Sequence, residues 1–571
     1  MDVWRVDLCA RSLKREPVRE SWDRLGGRGL SARILLDEVP PTCEPLGPYN
    51  KLVVTPGLLV GHMVTACDRI SFGTKSPLTR GVKEANAGGS TGLHMTNLGI
   101  KALILEGQLP TDGEARSGWW VLHLSLAGAR FEPADDVAGL GVYAAAPRLL
   151  ARYGEKVAIA LIGPGGEMKL SAAGIQNLDK DRSPARIAAR GGVGAVMGAK
   201  RLKAIVFDDA GGKKPPLADA TKFKEIQKRF TKNVLEHSQT AVYRDYGTPA
   251  NVRLIQVMGA LPTRNFSNGQ FEGFETLSGE FLRELLLKRG GDCDPSHACM
   301  AGCVIRSSNT YGGEDGKAVV GPLEYETVGL MGSNLGIASL DVVARLNWEV
   351  NDLALDSIDL GAALGVAAEA GLMQFGDGER ALVLLQEIRK GTPLGRILGH
   401  GAATTGRVLG VLRVPAVKGQ AMSAYDPRAL KGTGTTYATS PQGADHTAGN
   451  TMRAKVDHLD PAVQAKTSRA AQIDRAMFDT LGACIFTAAG FSVDRAVIPD
   501  LLNARYGWQA GPDIAENLGK ETLRLERGFN RRAGFTAADD RIPEWMRTEP
   551  LPPHNCVYDV PDADLDGIFN W

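Results

Sequence analysis

Residues 293–303 read CDPSHACMAGC and place Cys293, Cys299 and Cys303, three of the eight cysteines of this 571-residue chain, within eleven positions. Thiols this close together bind soft metals or iron–sulfur clusters, exchange disulfides, or pack as small apolar groups. A tetrahedral metal or a cubane cluster asks for four ligands, so a fourth has to come from elsewhere. No second Cys/His pair has zinc-finger spacing, and C-x-x-x-C is not the C-x-x-C of a thiol redox pair. His297 lies inside the run and reads equally well as a neighbour of the site or a surface residue. Cys9, Cys43, Cys67 and Cys556 have ordinary settings, whereas Cys484 stands in FDTLGACIF with Asp479 five residues before it. A compact run plus one remote cysteine fits an iron–sulfur cluster best. If residues 299–303 are helical, Cys299 and Cys303 lie one turn apart.

A second signal is glycine, 68 of 571 residues and so about 12% against an average near 7%. The glycines cluster as GGRG (26–29), NAGG (86–89), GPGG (163–166) and RGGVG (190–194). Paired glycines beside Arg or Asn suit backbone that approaches an anionic ligand, and turn chemistry is the plainer explanation of any single cluster. VAIALIGPGGE resembles a dinucleotide fingerprint, but MKLSAAGIQNLDKDRSP follows and reads as strand and loop, which argues against nicotinamide binding.

The elements that must position these residues follow from periodicity. KLVVTPG, RISFG, KALILEG, WWVLHLSL, VAIALIGPGG and LKAIVFDD read as strands, with GRGLSARILLDEV and VYAAAPRLLARYG as helices. AGGKKPPLADATKF is a linker, after which TKFKEIQKRFTKNVLEHSQ, LDVVARLNWEVNDLALDSIDLGAALGVAAEAG, ERALVLLQEIRKG and SRAAQIDRAMFDTLGACIF have helical spacing. The expectation is a multidomain α+β protein: a β-rich domain over 1–208 and mainly helical domains over 209–410 and 411–571, with no internal repeat. Charge is balanced, 66 Lys+Arg against 65 Asp+Glu, with none of the basic stripes of a nucleic-acid binder. No signal peptide or unbroken apolar span is visible, so no membrane is expected and a cytoplasmic location is.

Taken together, several motifs resemble those of the aldehyde:ferredoxin oxidoreductase family from end to end. They are GGRGLSARILLDEVP, DRISFGTKSPLTRGVKEANAGGSTG, ARGGVGAVMGAKRLKAIVF, HACMAGCVIRSSN, GPLEYETVGLMGSNLGI, NDLALDS, VKGQAMSAYDPR, YATSPQGADHTAGNT and DTLGACI. The resemblance implies a tungsten or molybdenum bis-pyranopterin beside a [4Fe–4S] cluster, with Mg2+ between the pterin phosphates. It also implies an aldehyde or acid substrate and a ferredoxin or ferredoxin-like subunit as electron partner, with a homodimer left open. Carried over by residue, Arg69, Asn86, Gly88, Arg190, Gly191 and Gly192 would meet the pterins. So would the two D-x-x-G-L-(C/D)-x motifs, here Asn351–Ser357 and Asp479–Ile485, through Asn351, Leu355, Asp356, Asp479 and Ala483. Glu326 and His446 would be catalytic, with Glu324 a rival for the first role.

Two departures follow from the resemblance. The family's usual C-x-x-C-x-x-x-C would begin at Ser296, and a variant's third cysteine would fall at Ser307. The expected cluster ligands are therefore Cys299, Cys303, Cys484 and a displaced Cys293. Ala421 stands where many relatives carry a glutamate, which implies a changed substrate. The alternatives are a subunit like those of the tungsten-dependent benzoyl-CoA reductases, and a degenerate member kept as a structural partner.

Overall fold

The structure, a computed structural model, describes residues 1–110 and 115–571. Two six-stranded mixed sheets occupy the region up to Phe207, and mainly helical structure follows. The first sheet runs in the order Ser12–Glu16, Asp2–Asp7, Ile100–Glu106, Leu52–Pro56, Ile70–Lys75, Val82–Ala87. The second runs Gly128–Pro133, Trp120–Ser125, Leu202–Phe207, Ala158–Leu161, Ile175–Leu178, Pro184–Ala188. Each begins with an antiparallel edge hairpin, continues with one parallel pairing and ends in three antiparallel ones. The same topology thus occurs twice, which corrects the expectation of no internal repeat.

A faint trace of the duplication is present in the sequence. NAGGSTG leads through the helix Thr91–Asn97 to KALILE, and ARGGVGA leads through Val193–Ala199 to KAIVFD. The matching lysines are both buried and donate to backbone carbonyls: Lys101 Nζ to Asp23 O at 2.9 Å and Lys203 Nζ to Leu140 O at 2.8 Å.

Leu52–Pro56, Ala158–Leu161 and Leu202–Phe207 are buried along their whole length, so they read as mostly apolar runs instead of alternating ones, with Thr55 and Lys203 the polar exceptions. The two sheets share one core that includes Trp4, Phe72, Leu103, Trp120, Ile159 and Ile205. The first sheet's other face, with Val53 and Ile104, packs with the helix Gly27–Glu38 and with Met477, Leu525 and Phe529 of the C-terminal helices. A third core gathers the helices Tyr325–Met331, Leu340–Asp352, Ser357–Glu369 and Gly378–Lys390. Ser357–Glu369 is apolar almost all round and accordingly buried. The helical half is interlaced: Ala220–Glu236 packs on Ala488–Val493 and Val497–Tyr506, while Ile542 and Leu565 return to the core of residues 323–430. Among the described residues no single helix is long and apolar enough to cross a membrane.

Candidate functional site

The two sequence motifs form matching turns at the C-termini of the helices Leu340–Asp352 and Gln464–Leu481. Each turn docks on the sheet domain through three backbone hydrogen bonds in the same register. At the first, Gly165 N donates to Leu353 O (3.0 Å), Gly174 N to Ala354 O (2.8 Å) and Asp356 N to Ala172 O (2.9 Å). At the second, Leu59 N donates to Leu481 O (2.9 Å), Arg69 N to Gly482 O (3.1 Å) and Cys484 N to Ala66 O (2.8 Å). Ala354 and Gly482 occupy the left-handed position, with φ of 53° and 76°. The approach is so close that a Cβ on Gly57 would lie 2.2 Å from Gly482 Cα, and one on Gly163 2.5 Å from Leu353 O. The GPGG cluster therefore admits a protein turn, and its last three residues belong to a one-turn helix, Pro164–Glu167. Gly191 and Gly192 likewise have a packing reason, because a Cβ would meet Lys83 Cγ at 2.3 Å or Pro77 Cγ at 2.6 Å.

Around the second turn, Arg69 Nε donates to Asn86 Oδ1, and Asn86 Nδ2 donates to Asp479 Oδ1 at 3.2 Å. Asp479 Oδ2 also faces Arg28, whose buried guanidinium forks onto Glu526 at 2.7 and 2.9 Å. Burial and the neighbouring Asp479 push Glu84 up to about 8. Around the first turn, Arg190 donates to Asp356 Oδ2 at 3.2 Å and lies 3.7 Å from Asp445 and 3.9 Å from Asp359. Lys83 Nζ meets Asp445 Oδ2 at 2.8 Å. Burial opposes the Asp445 charge, yet Lys83, Arg190 and His446 hold it well below the usual carboxylate range. Burial and Asp356 push Asp359 up to about 7. Asn351 reaches Asn347, and Leu355 pairs with Ala173. Ala483 is fully packed beneath the second turn.

Glu326 lies in the first turn of the helix Tyr325–Met331, and His446 begins a short turn capped by Asp445. The fold brings them together: His446 Nε2 lies 3.2 Å from Glu326 Oε1, while Glu326 Oε2 accepts from Ala424 N at 2.8 Å. Ser423 Oγ sits 2.7 Å from His446 Nδ1 and accepts from Arg190 Nη1 at 3.3 Å. Nε2 thus faces the Glu326 carboxylate, and Nδ1 faces the Ser423 hydroxyl, whose one proton and two lone pairs let it bond the ring while it accepts from Arg190. Tyr325, Tyr425 and Tyr437 wall this pair with buried rings, the Tyr425 ring centroid 5.8 Å from that of His446. Glu324 points elsewhere; its buried carboxyl accepts from Thr248 Oγ1 at 2.5 Å and feels Arg186 and Cys299.

The thiols divide. Cys299, Cys303 and Cys484 are close enough to perturb one another's ionisation, with Gly88 against Cys299: a Cβ there would lie 3.4 Å from Sγ. A hydrogen bond from Cys303, then Arg186 and Arg69, overcome burial and hold the Cys299 thiol down at about 6. Sharing that proton and burial push Cys303 up, and burial raises Cys484. Cys293 is placed elsewhere. It packs with the third core, its Sγ 2.3 Å from where a Cβ on Gly312 would stand, at the far end of the strand Asp294–His297. Residues 299–303 form turns, not a helix.

The layer where these groups meet is polar and incompletely paired. Among the described residues, Glu84 Oε1, Gln176 Oε1 and Arg186 Nε are buried without a hydrogen-bond partner, and the Asp359 carboxylate has Arg190 only at 3.9 Å. Each belongs to a residue that adjoins a motif turn or a thiol. Unpaired buried donors and acceptors of both signs fit a polar ligand carrying anionic oxygens and ring N–H groups. Three converging thiols beside arginines fit an iron–sulfur cluster in the same way. Lys83, Glu84, Arg28, Asp359, Ser423 and Asp445 were not singled out in the sequence. The available signal was VKEANA, two adjacent charges in an otherwise apolar strand, and the Asp445–His446 dipeptide.

The aldehyde ferredoxin oxidoreductase family models match the chain, the N-terminal domain over residues 3–209 and domains 2 and 3 over residues 225–566. A tungsten-containing aldehyde ferredoxin oxidoreductase of Pyrococcus furiosus is 32% identical over 96% of this chain and 91% of its own length. Its Thermococcus kodakarensis counterpart is 31% identical over the same shares. The WOR-like subunit of an aliphatic sulfonate oxidoreductase of P. furiosus is 27% identical over 92% of this chain and 86% of its own. Among solved structures, the active-site complex BamBC of benzoyl coenzyme A reductase with 1,5-dienoyl-CoA shares the fold, with a TM-score of 0.78 at 19% identity. The match covers 95% of this chain and 90% of that one. Matched by both family models and about a third identical to curated members along nearly its whole length, the chain belongs to the aldehyde ferredoxin oxidoreductase family.

Proposed function

We propose that this oxidoreductase interconverts an aldehyde and its carboxylic acid at a tungsten or molybdenum bis-pyranopterin, and passes electrons singly to a ferredoxin or a ferredoxin-like subunit. The observation that carries the reading is the Glu326–His446 pair, 3.2 Å apart, linked through Ser423 and Arg190 to Asp356 of the first motif turn. The two relatives above that are about a third identical are tungsten-containing aldehyde ferredoxin oxidoreductases, which supports the metal and the substrate class. Asn86, Gly88, Arg69, Asp479 and Ala483 would hold one pterin and Arg190, Asn351, Leu355 and Asp356 the other, with Mg2+ between their phosphates. Cys299, Cys303 and Cys484 would hold the cluster.

The metal–pterin group would supply a two-electron sink and the cluster a one-electron outlet. Oxidation of an aldehyde takes up one water and releases two protons and two electrons, so the protein has to manage protons. Glu326, fixed by the Ala424 N–H, takes a proton from the attacking water through its other oxygen. His446 donates a hydrogen bond from Nε2 to the substrate oxygen as charge develops there, and Ser423 holds the ring in place through Nδ1. The three tyrosine rings restrict water to what the reaction uses. In the acid-reducing direction the same two groups exchange these roles.

The test is aldehyde-dependent reduction of a viologen dye by anaerobically purified protein, compared with Glu326→Gln and His446→Asn. Activity with aldehydes, lost in both variants at unchanged metal content, supports the reading. Full activity in both variants, or no activity with any aldehyde in a metal-loaded sample, rejects it.

A further inference from the structure

Val304 N donates to Thr65 Oγ1 at 3.1 Å and Cys484 N to Ala66 O at 2.8 Å, which sets Cys303 and Cys484 on neighbouring residues, and Cys299 Sγ lies against Gly88, while Cys293 packs apart from them in the third core. Cys293 is separated from Cys299 by the strand Asp294–His297, which is pinned by pairing Asp294 with Thr310 and His297 with Ser308. Four extended residues span roughly 13 Å. Moving Cys293 to the other thiols would dismantle that pairing and empty the niche its Sγ fills on Gly312. Ser296 lies three residues before Cys299, and Arg306 three residues after Cys303. The Ser296 carbonyl accepts from Arg306 Nε at 2.8 Å and its Oγ donates to Arg306 O at 3.4 Å, so the two residues close the loop that carries both thiols. The hydroxyl's hydrogen bond is long and costs little to give up.

We propose that the cluster is held by three thiolates only, Cys299, Cys303 and Cys484, with its fourth iron facing the Ser296 oxygen instead of a fourth thiolate. This inference rests on the reading above that these thiols hold an iron–sulfur cluster. Oxygen is a harder donor than thiolate and holds a cluster iron less firmly. The fourth iron is therefore the one that leaves on oxidation. With ferricyanide as the one-electron oxidant, [4Fe–4S]2+ gives [3Fe–4S]+, Fe2+ and one electron, which the oxidant takes. Cys293 plays no part and serves as a packing thiol.

The experiment is stoichiometric ferricyanide oxidation of the anaerobically purified full chain, with released iron counted and the cluster followed by low-temperature EPR. The wild type is expected to fall from about four irons to about three and to develop the three-iron signal. Ser296→Cys, which adds the missing thiolate, is expected to keep all its iron under the same treatment. Cys293→Ser is expected to match the wild type in iron and in signal. A Cys293→Ser protein that loses iron or its signal overturns the ligand assignment, as does a Ser296→Cys protein that still sheds one iron. A wild-type chain that takes up no iron overturns this inference and the electron outlet of the proposed function together, a result distinct from either of those.

Discussion

The two motif turns share their docking register yet differ in the sixth residue of the motif, where one carries Asp356 and the other Cys484. The backbone treats them alike: the N–H of each donates to an equivalent carbonyl, Ala172 O and Ala66 O. Their side chains meet different surroundings. Asp356 joins a buried charge network with Arg190, Asp445 and Lys83 that ends at Glu326 and His446. Cys484 joins two other thiols beside Arg69. A repeated scaffold thus presents a buried charge network on one side and a thiol group on the other, which the proposed function reads as the proton-handling and the electron-handling sets.

Breaking the proton-handling side should produce the largest effect. His446→Asn or Glu326→Gln is expected to lower turnover by about 10²- to 10⁴-fold while leaving metal content and fold intact, checked by viologen kinetics beside elemental analysis. Lys83→Met is next. It strips Asp445 of its nearest cation inside the fold, and the expected loss is about 3 kcal/mol or more of stability, read by denaturant unfolding of the cofactor-free chain. Asp445 itself, with its pKa depressed in the folded chain, contributes stability above its ordinary value of 3.8, and that contribution fades as pH falls further.

The two turns then separate at the left-handed position. Gly482→Ala is expected to destabilise by about 2–4 kcal/mol, because φ is 76° and the new Cβ would lie 2.9 Å from Gly57 Cα. Ala354→Gly should do the reverse on a smaller scale, relieving φ of 53° for a gain of about 0.5 kcal/mol after the buried methyl is lost. A smaller effect concerns pH. Glu84 at about 8 and Asp359 at about 7 bind protons in the folded chain that the unfolded chain has released, their ordinary values being 4.5 and 3.8. Stability of the cofactor-free chain should therefore fall as pH rises from about 5 to about 8, and Glu84→Gln should flatten the slope.

Much of this was legible in the sequence. Buried strands such as KLVVTPG and LKAIVFDD declared themselves by mostly apolar runs, and the helices by spacing. Glu326 and His446, 120 positions apart, were singled out by the family resemblance and are brought side by side by the fold. The duplicated sheet was missed because topology repeats while side chains do not; only the glycine pairs and the Lys-Ala starts of two strands survive as traces. Cys293 was grouped with Cys299 and Cys303 by distance along the chain, and the strand Asp294–His297 that stands between them could not be read from that spacing. Gly191 and Gly192 were singled out through the resemblance as pterin contacts, and the structure adds a packing reason for their bare positions, as it does for Gly163 of GPGG.

The most direct test of the central claim is elemental analysis of anaerobically purified protein for tungsten, molybdenum, iron and acid-labile sulfide. About one tungsten or molybdenum with about three to four irons per chain is the expected result. Neither metal, from a host able to make the cofactor, would contradict it and leave a family fold without the family's chemistry.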